Sequence, residues 1–248
     1  VRVVSMSLLG VFACAGVANA GEATVGLGAA ISESEYYQQP EQLNGFPLVV
    51  YHGDRFFFEG TSFGYQLTQS EQLTVSLAGD LDFRQYDPEE ARRADLAALD
   101  ERKAGVLAGV RLEYRIGAAD TVTAGLLGEL TNRHHGRVAE LGWKHMFDFG
   151  FENSQVFSQI GLRMVDADYN DYYFGVSAAE STRSGLAAYT PGAGNDLSVG
   201  GGVMHNFAND WQAMLMLYVR RYDQQVSDSP MVENASITGG FVGIGYRF

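Results

Sequence analysis

The sequence predicts an all-β fold: a closed antiparallel transmembrane β-barrel of about twelve strands, with ten as the alternative. Three observations predict it. Stretches of roughly ten residues alternate apolar with polar or small side chains, the pattern of a strand that has one face in lipid and one in water. The connections between those stretches alternate short and long. And the chain closes on a run that places Val242, Ile244, Tyr246 and Phe248 on one strand face and Gly239, Gly243, Gly245 and Arg247 on the other.

The elements follow in order. Residues 1–20 carry one charge, Arg2, then an apolar core through Phe12, then small residues at Ala18 and Ala20. This pattern predicts a cleaved secretory signal peptide, because the apolar run is too short for the ~20 residues of a spanning helix. Cys14 raises a lipoprotein alternative, but bulky Phe12 and the Ala-Asn-Ala site before Gly21 favour ordinary cleavage. Alternating runs then cover 22–31, 72–86, 105–116, 121–131, 137–147, 154–165, 197–207, 211–222 and 237–248. Each is close to the ~9–11 residues that a tilted membrane strand needs. The β-rich but less regular regions 45–51 and 55–67 must supply the remaining crossings.

Long connections fall near 32–44, 87–103, 166–196 and 224–236, and short ones at 68–71, 117–120, 148–153 and 208–210. Outer-membrane barrels have short periplasmic turns and long extracellular loops, so residues 21–248 read as one barrel domain with both ends in the periplasm. Pro88–Arg102 is alanine-rich, acidic early and basic late, which predicts a short capped helix in an outer loop.

Composition narrows the function. The net charge is −13, with 17 basic residues against 30 acidic, which argues against a nucleic-acid partner. The one cysteine lies in the predicted leader, so the processed chain has no thiol for a disulfide, a nucleophile or a metal. No G-x-S-x-G, H-E-x-x-H or P-loop occurs. No catalytic residue, cofactor or metal site is predicted, and the reading is non-enzymatic.

The inward face holds the chemistry that remains. Asp80, Asp82 and Arg84 precede a long hairpin and Arg111, Glu113 and Arg115 follow it. If Tyr86 and Gly105 close that hairpin, Asp80 lies opposite Arg111 inside the barrel. Glu129, Glu140, Lys144, Arg163 and Arg220 join the same interior. Such charges either line a solute pore or pair into a plug, and small barrels fill their lumens with side chains, so the plug is preferred. Asp166, Asp168, Asn170 and Asp171 begin like a calcium loop but lack Gly at the sixth position and Glu at the twelfth. An ordinary acidic loop is the better reading. His134 and His135 are a faint signal for a hydrolase at the barrel rim. The clusters Phe56–Phe58 and Tyr172–Phe174 read as interface girdle or loop packing. Tyr246 and Phe248 resemble the end of the closing strand of bacterial outer-membrane barrels, which the assembly machinery reads.

Several segments together resemble the MltA-interacting protein/OmpV family of outer-membrane proteins. They are Leu48-Val-Val-Tyr-His-Gly-Asp-Arg-Phe-Phe-Phe, Asp82-Phe-Arg, Thr131-Asn-Arg-His-His-Gly, Tyr169-Asn-Asp-Tyr-Tyr-Phe-Gly-Val, Ala188-Tyr-Thr-Pro-Gly-Ala-Gly and Ser229-Pro-Met-Val. The resemblance implies a bacterial outer-membrane barrel in contact with outer-membrane lipid and without a catalytic centre. It implies a scaffold in murein maintenance, with a murein-cleaving lytic transglycosylase and a murein synthase as partners. The alternatives are a small-solute pore and, more weakly, a lipid- or peptide-hydrolysing barrel.

Overall fold

The computed structural model describes residues 21–37, 39 and 42–248. The predicted leader, 1–20, lies outside the described residues. Twelve strands close into one antiparallel barrel, each paired with its sequence neighbour and β1 with β12. They are β1 Glu22–Ser32, β2 Gln42–His52, β3 Phe56–Glu59, β4 Ser62–Gln69, β5 Leu73–Asp82 and β6 Gly105–Ile116, then β7 Asp120–Glu129, β8 Arg137–Phe147, β9 Ser154–Val165, β10 Gly194–Asn206, β11 Trp211–Tyr222 and β12 Ser236–Arg247. The irregular region 45–67 therefore makes three strands, and the count is twelve rather than ten.

The strand alternation sorts side chains by phase. Leu27 and Leu126 are each 70% exposed and Leu217 61%, exposures that are costly in water and favourable against lipid. Aromatic pairs gather at the short-turn end, including Phe147 stacked on Phe149 and Trp211 edge-on to Tyr246, as expected for an interface girdle. Among the described residues no helix is long and apolar enough to cross a membrane.

The main buried apolar cluster sits at the long-loop end of the barrel. It joins Tyr36, Tyr86, Leu96, Tyr169, Tyr173, Phe174, Val226 and Met231, so the long loops pack on one another across the mouth. The helical insert predicted at 88–102 is not an α-helix. It is two single turns of 3-10 helix, Pro88–Glu90 and Leu96–Ala98, capped by Asp87 and Asp95. Buried Leu96 and Leu99 and the bridge between Tyr86 and Arg102 tie the segment down at points too close together for a continuous helix. The α-helices lie elsewhere: α1 Ala167–Phe174, α2 Ala178–Ser184 and α3 Gln224–Ser227.

Candidate functional site: a plugged lumen and a cup beneath it

The lumen charges predicted from sequence meet, but in a different register. Asp82 pairs with Gly105 and Asp80 with Leu107, while Arg111 pairs with Ser76. Asp80 is thus not opposite Arg111, because the chain leaves the ladder after Asp82 and Tyr86 bridges to Arg102 instead. The two side chains still join. The long Arg111 stem reaches diagonally, and Nη2 donates to Asp80 at 2.6 Å and to Glu140 at 3.2 Å. Ser62 donates to the other Asp80 oxygen. One layer outward, Arg163 donates to Asp82 at 3.0 Å and the Tyr169 hydroxyl donates to the same oxygen at 2.6 Å.

Arg84 tops this stack. It lies beyond the end of β5 and is fully buried. Its guanidinium is 3.4 Å from Glu35 and 3.6 Å from Asp196. The rings of Phe174, Tyr222, Tyr169 and Tyr173 surround it at 5.1–5.9 Å. A planar guanidinium suits this position because it pairs with carboxylates at its edge while its faces lie on aromatic rings. Glu113 and Arg115 sit apart, near the short-turn end, 3.5 Å from each other and half-exposed.

Loop chemistry explains why α1 delivers its aromatics here. Asp166 caps α1 by accepting from the Tyr169 amide at 3.1 Å, so the acidic run that imitates a calcium loop is a helix start. Asn170 donates to the Gly192 carbonyl at 2.8 Å. Ser177 and Glu180 form a capping box on α2, and Glu180 also takes Arg102 at 2.7 Å and the Asp100 amide at 3.0 Å. Burial alone would raise the Glu180 pKa, but these amide bonds, with the Ser177 and Arg102 contacts, pull it down to about 2. The serine three residues before a glutamate is a readable start signal, and the sequence reading passed over it. His134 packs against the rings of Tyr169, Tyr172 and Tyr173 and accepts from the Gly136 amide. Burial lowers its pKa. Its Nε2 meets no hydroxyl among the described residues, so the hydrolase geometry does not assemble.

Below the plug the lumen opens. A cavity of about 240 Å³ at the short-turn end is lined by Leu48, Val50, His52, Gln155, Asn206 and Gln212, among others. His52 is 2.5 Å from Glu59 at its side. No group of three or more His, Cys, Asp or Glu among the described residues is placed to hold a metal ion.

Comparison with known proteins places this barrel. Residues 25–248 match the family described as MltA-interacting protein MipA. The chain belongs to that family. It is similar to the putative outer membrane protein YiaT of Escherichia coli K12, at 29% identity over 93% of both chains. It is also similar to the MltA-interacting protein of the same strain, at 28% identity over 94% of both. The translocator domain of the autotransporter NalP from Neisseria meningitidis shares the fold, with a TM-score of 0.51 at 13% identity, over 97% of this chain and 93% of that one. This MipA-family barrel is a protein of the bacterial outer membrane.

Proposed function

We propose that the chain is a non-enzymatic, non-conducting interaction protein of the cell envelope, processed to begin at Gly21, which holds a murein-processing enzyme at the periplasmic face of the outer membrane. The supporting observation is the network of ion pairs inside the barrel. Asp80, Asp82, Arg111, Glu140 and Arg163 pair with one another inside the barrel, Arg84 pairs with Glu35 and Asp196, and aromatic rings of the long loops pack above them. A partner on the periplasmic side would meet the cup and its rim. The cup supplies the concave surface that short turns alone would lack. A lytic transglycosylase is the first partner, by the name of the relative at 28% identity. A murein synthase is the second, by family resemblance.

The test uses the barrel refolded in detergent. Purified lytic transglycosylase MltA should be retained by the immobilised barrel, and adding negative charge to the cup with Gln155→Glu and Gln212→Glu should weaken retention at least tenfold. In planar bilayers the same preparation should give no stepwise current. Stepwise conductance from the unaltered barrel, together with no retention of the enzyme, would replace this reading with the pore.

A further inference from the structure

The barrel wall is not of even height. β2 pairs with β1 along its whole length, from Glu22↔His52 to Ser32↔Gln42. On its other edge it meets β3 only through Val50, Tyr51 and His52. The β3–β4 hairpin turns at Gly60 and Thr61, and Ser62 faces Asp80 just short of the end of β5. Residues 43–48 of β2 therefore have a strand on one side only, among the described residues. At ~3.3 Å per residue that is roughly 20 Å of open edge.

The backbone groups on that edge can be assigned. His52 accepts from Gly21 on the β1 side, while Gly53 donates to Phe56 and Val49 accepts from Gly60 on the hairpin side. Odd residues thus point at the gap, and Leu43, Gly45 and Pro47 follow in turn. Pro47 has no N–H to lose there, which is where a sheet tolerates proline. Exposed apolar side chains flank the gap. Leu43 is 73% exposed, and its β1 neighbour Ile31 is 46% exposed. Unpaired backbone facing hydrocarbon costs several kcal/mol per group, so this edge calls for a polar group brought by something from the membrane.

Behind the gap the lumen is apolar. Phe46 and Leu48 point inward from the open stretch of β2 and pack with Met216, Tyr218, Phe241, Phe157 and Met214. Phe46 stacks on Phe241 at 5.8 Å. Gly28 leaves room for both rings, since a Cβ there would lie 2.8 Å from Phe46 and 2.9 Å from Phe241.

We propose that the gap above the β3–β4 hairpin is a side entrance from the outer leaflet, and that it admits one fatty-acid chain. The chain lies against the Phe46–Phe241 patch, and the carboxylate stays at the strand edge, accepting from the Leu43 and Gly45 amides. The ligand class follows from both surfaces: an apolar patch behind the gap, and backbone donors at its mouth that want an acceptor. It does not rest on the proposed partner enzyme.

The experiment refolds the barrel into phosphatidylcholine vesicles containing a diazirine-bearing palmitic acid, irradiates them, and maps the labelled residues. Inward-facing Phe46, Leu48 and Phe241 should be labelled. Phe46→Asp should reduce that labelling at least tenfold while outward Val242 and Ile244 stay labelled. A second variant lengthens both arms of the hairpin at Gly60–Thr61 by three residues to fill the gap, and it should abolish inward labelling. Folding of each variant is read from the heat-dependent gel shift. Labels confined to outward residues, or inward labelling that survives the filled gap, would overturn the proposal.

Discussion

Replacing Arg84 with alanine should loosen the outer mouth while leaving the barrel standing. The magnitude follows from what Arg84 touches. Its side chain is 1% exposed, and those of its partners Glu35 and Asp196 are 6% and 2% exposed. Neither Asp196 oxygen has a hydrogen-bond partner among the described residues, so its charge leans on the guanidinium 3.6 Å away. Removing one member of a buried ion pair costs ~3–5 kcal/mol, and the loss of desolvated cation–π contacts adds ~1–2 kcal/mol. Taking about 4 kcal/mol as the conservative sum, the equilibrium for local opening shifts on the order of a thousandfold, at ~1.4 kcal/mol per factor of ten. The cost falls on α1 and on the segment through Tyr86, because the strands are held by their own ladders. Hydrogen exchange in detergent micelles measures it directly. Amides of Ala167–Phe174 should exchange faster by two to three orders of magnitude, with those of β8 and β9 unchanged. Exchange within threefold of the parent across α1 would refute the view that Arg84 holds the plug together.

Two further outcomes follow from particular contacts. Glu180, with its pKa held near 2, stabilises the loop cap above the unfolded value of ~4.3 and loses that contribution as pH falls toward 2. Protease resistance of the 166–193 loop should therefore persist at pH 4 in the parent chain and already be low at neutral pH in Glu180→Gln, and equal resistance at both pH values in the two proteins would contradict it. Phe248→Ala should lower assembly into the outer membrane of cells several-fold while refolding in vitro proceeds as before. Phe248 is 75% exposed and the hydrogen bond its backbone N–H donates to the Ala23 carbonyl does not depend on the side chain. A matching defect in refolding would show that the ring serves packing instead of recognition.

The wall of the barrel was legible because lipid imposes a rule with period two. Val106, Val110, Leu112 and Tyr114 against Arg111 and Glu113 can be sorted by eye, and the structure sorts the faces the same way, with Val110, Leu112 and Tyr114 exposed outward. The region 45–67 blurred that period because its strands are not equal. β3 is four residues long, too short to show alternation, and Pro47 marked an edge that no periodicity would reveal. The Asp80–Arg111 contact was found through a wrong register. Arginine reaches far enough to forgive a slip that would have separated shorter side chains. The Arg84 site was less accessible still. Glu35, Asp196, Tyr222 and Phe174 come from four different connections or strand ends, and only closure of the sheet brings them to one place. The helices of the 166–193 loop had local signals, Asp166 before Tyr169 and Ser177 before Glu180, but an acidic run invites a metal reading before a capping one.

The interior is divided by side as well as by end, and this bears on which reading of the lumen survives. Charged pairs occupy the wall from β5 through β9, where Asp80, Arg111, Glu140 and Arg163 pair with one another. An apolar patch lies on the wall from β10 through β2, where Phe241, Met216 and Phe46 meet, although Asp196 and Arg220 of the same wall are charged and buried. A conducting pore for polar solutes needs water along its whole length, so the proposed non-conducting reading requires the ion-paired stack and the aromatic patch together to interrupt that water. A barrel whose task is to hold a shape has no such need. Opposed charge on one side and packed rings on the other both fill the lumen, while the lipid-facing alternation fixes the register of the strands. On the proposed interaction reading the plug serves to hold the short-turn rim in one shape, and the step in the wall at β2 is the place where strand pairing stops.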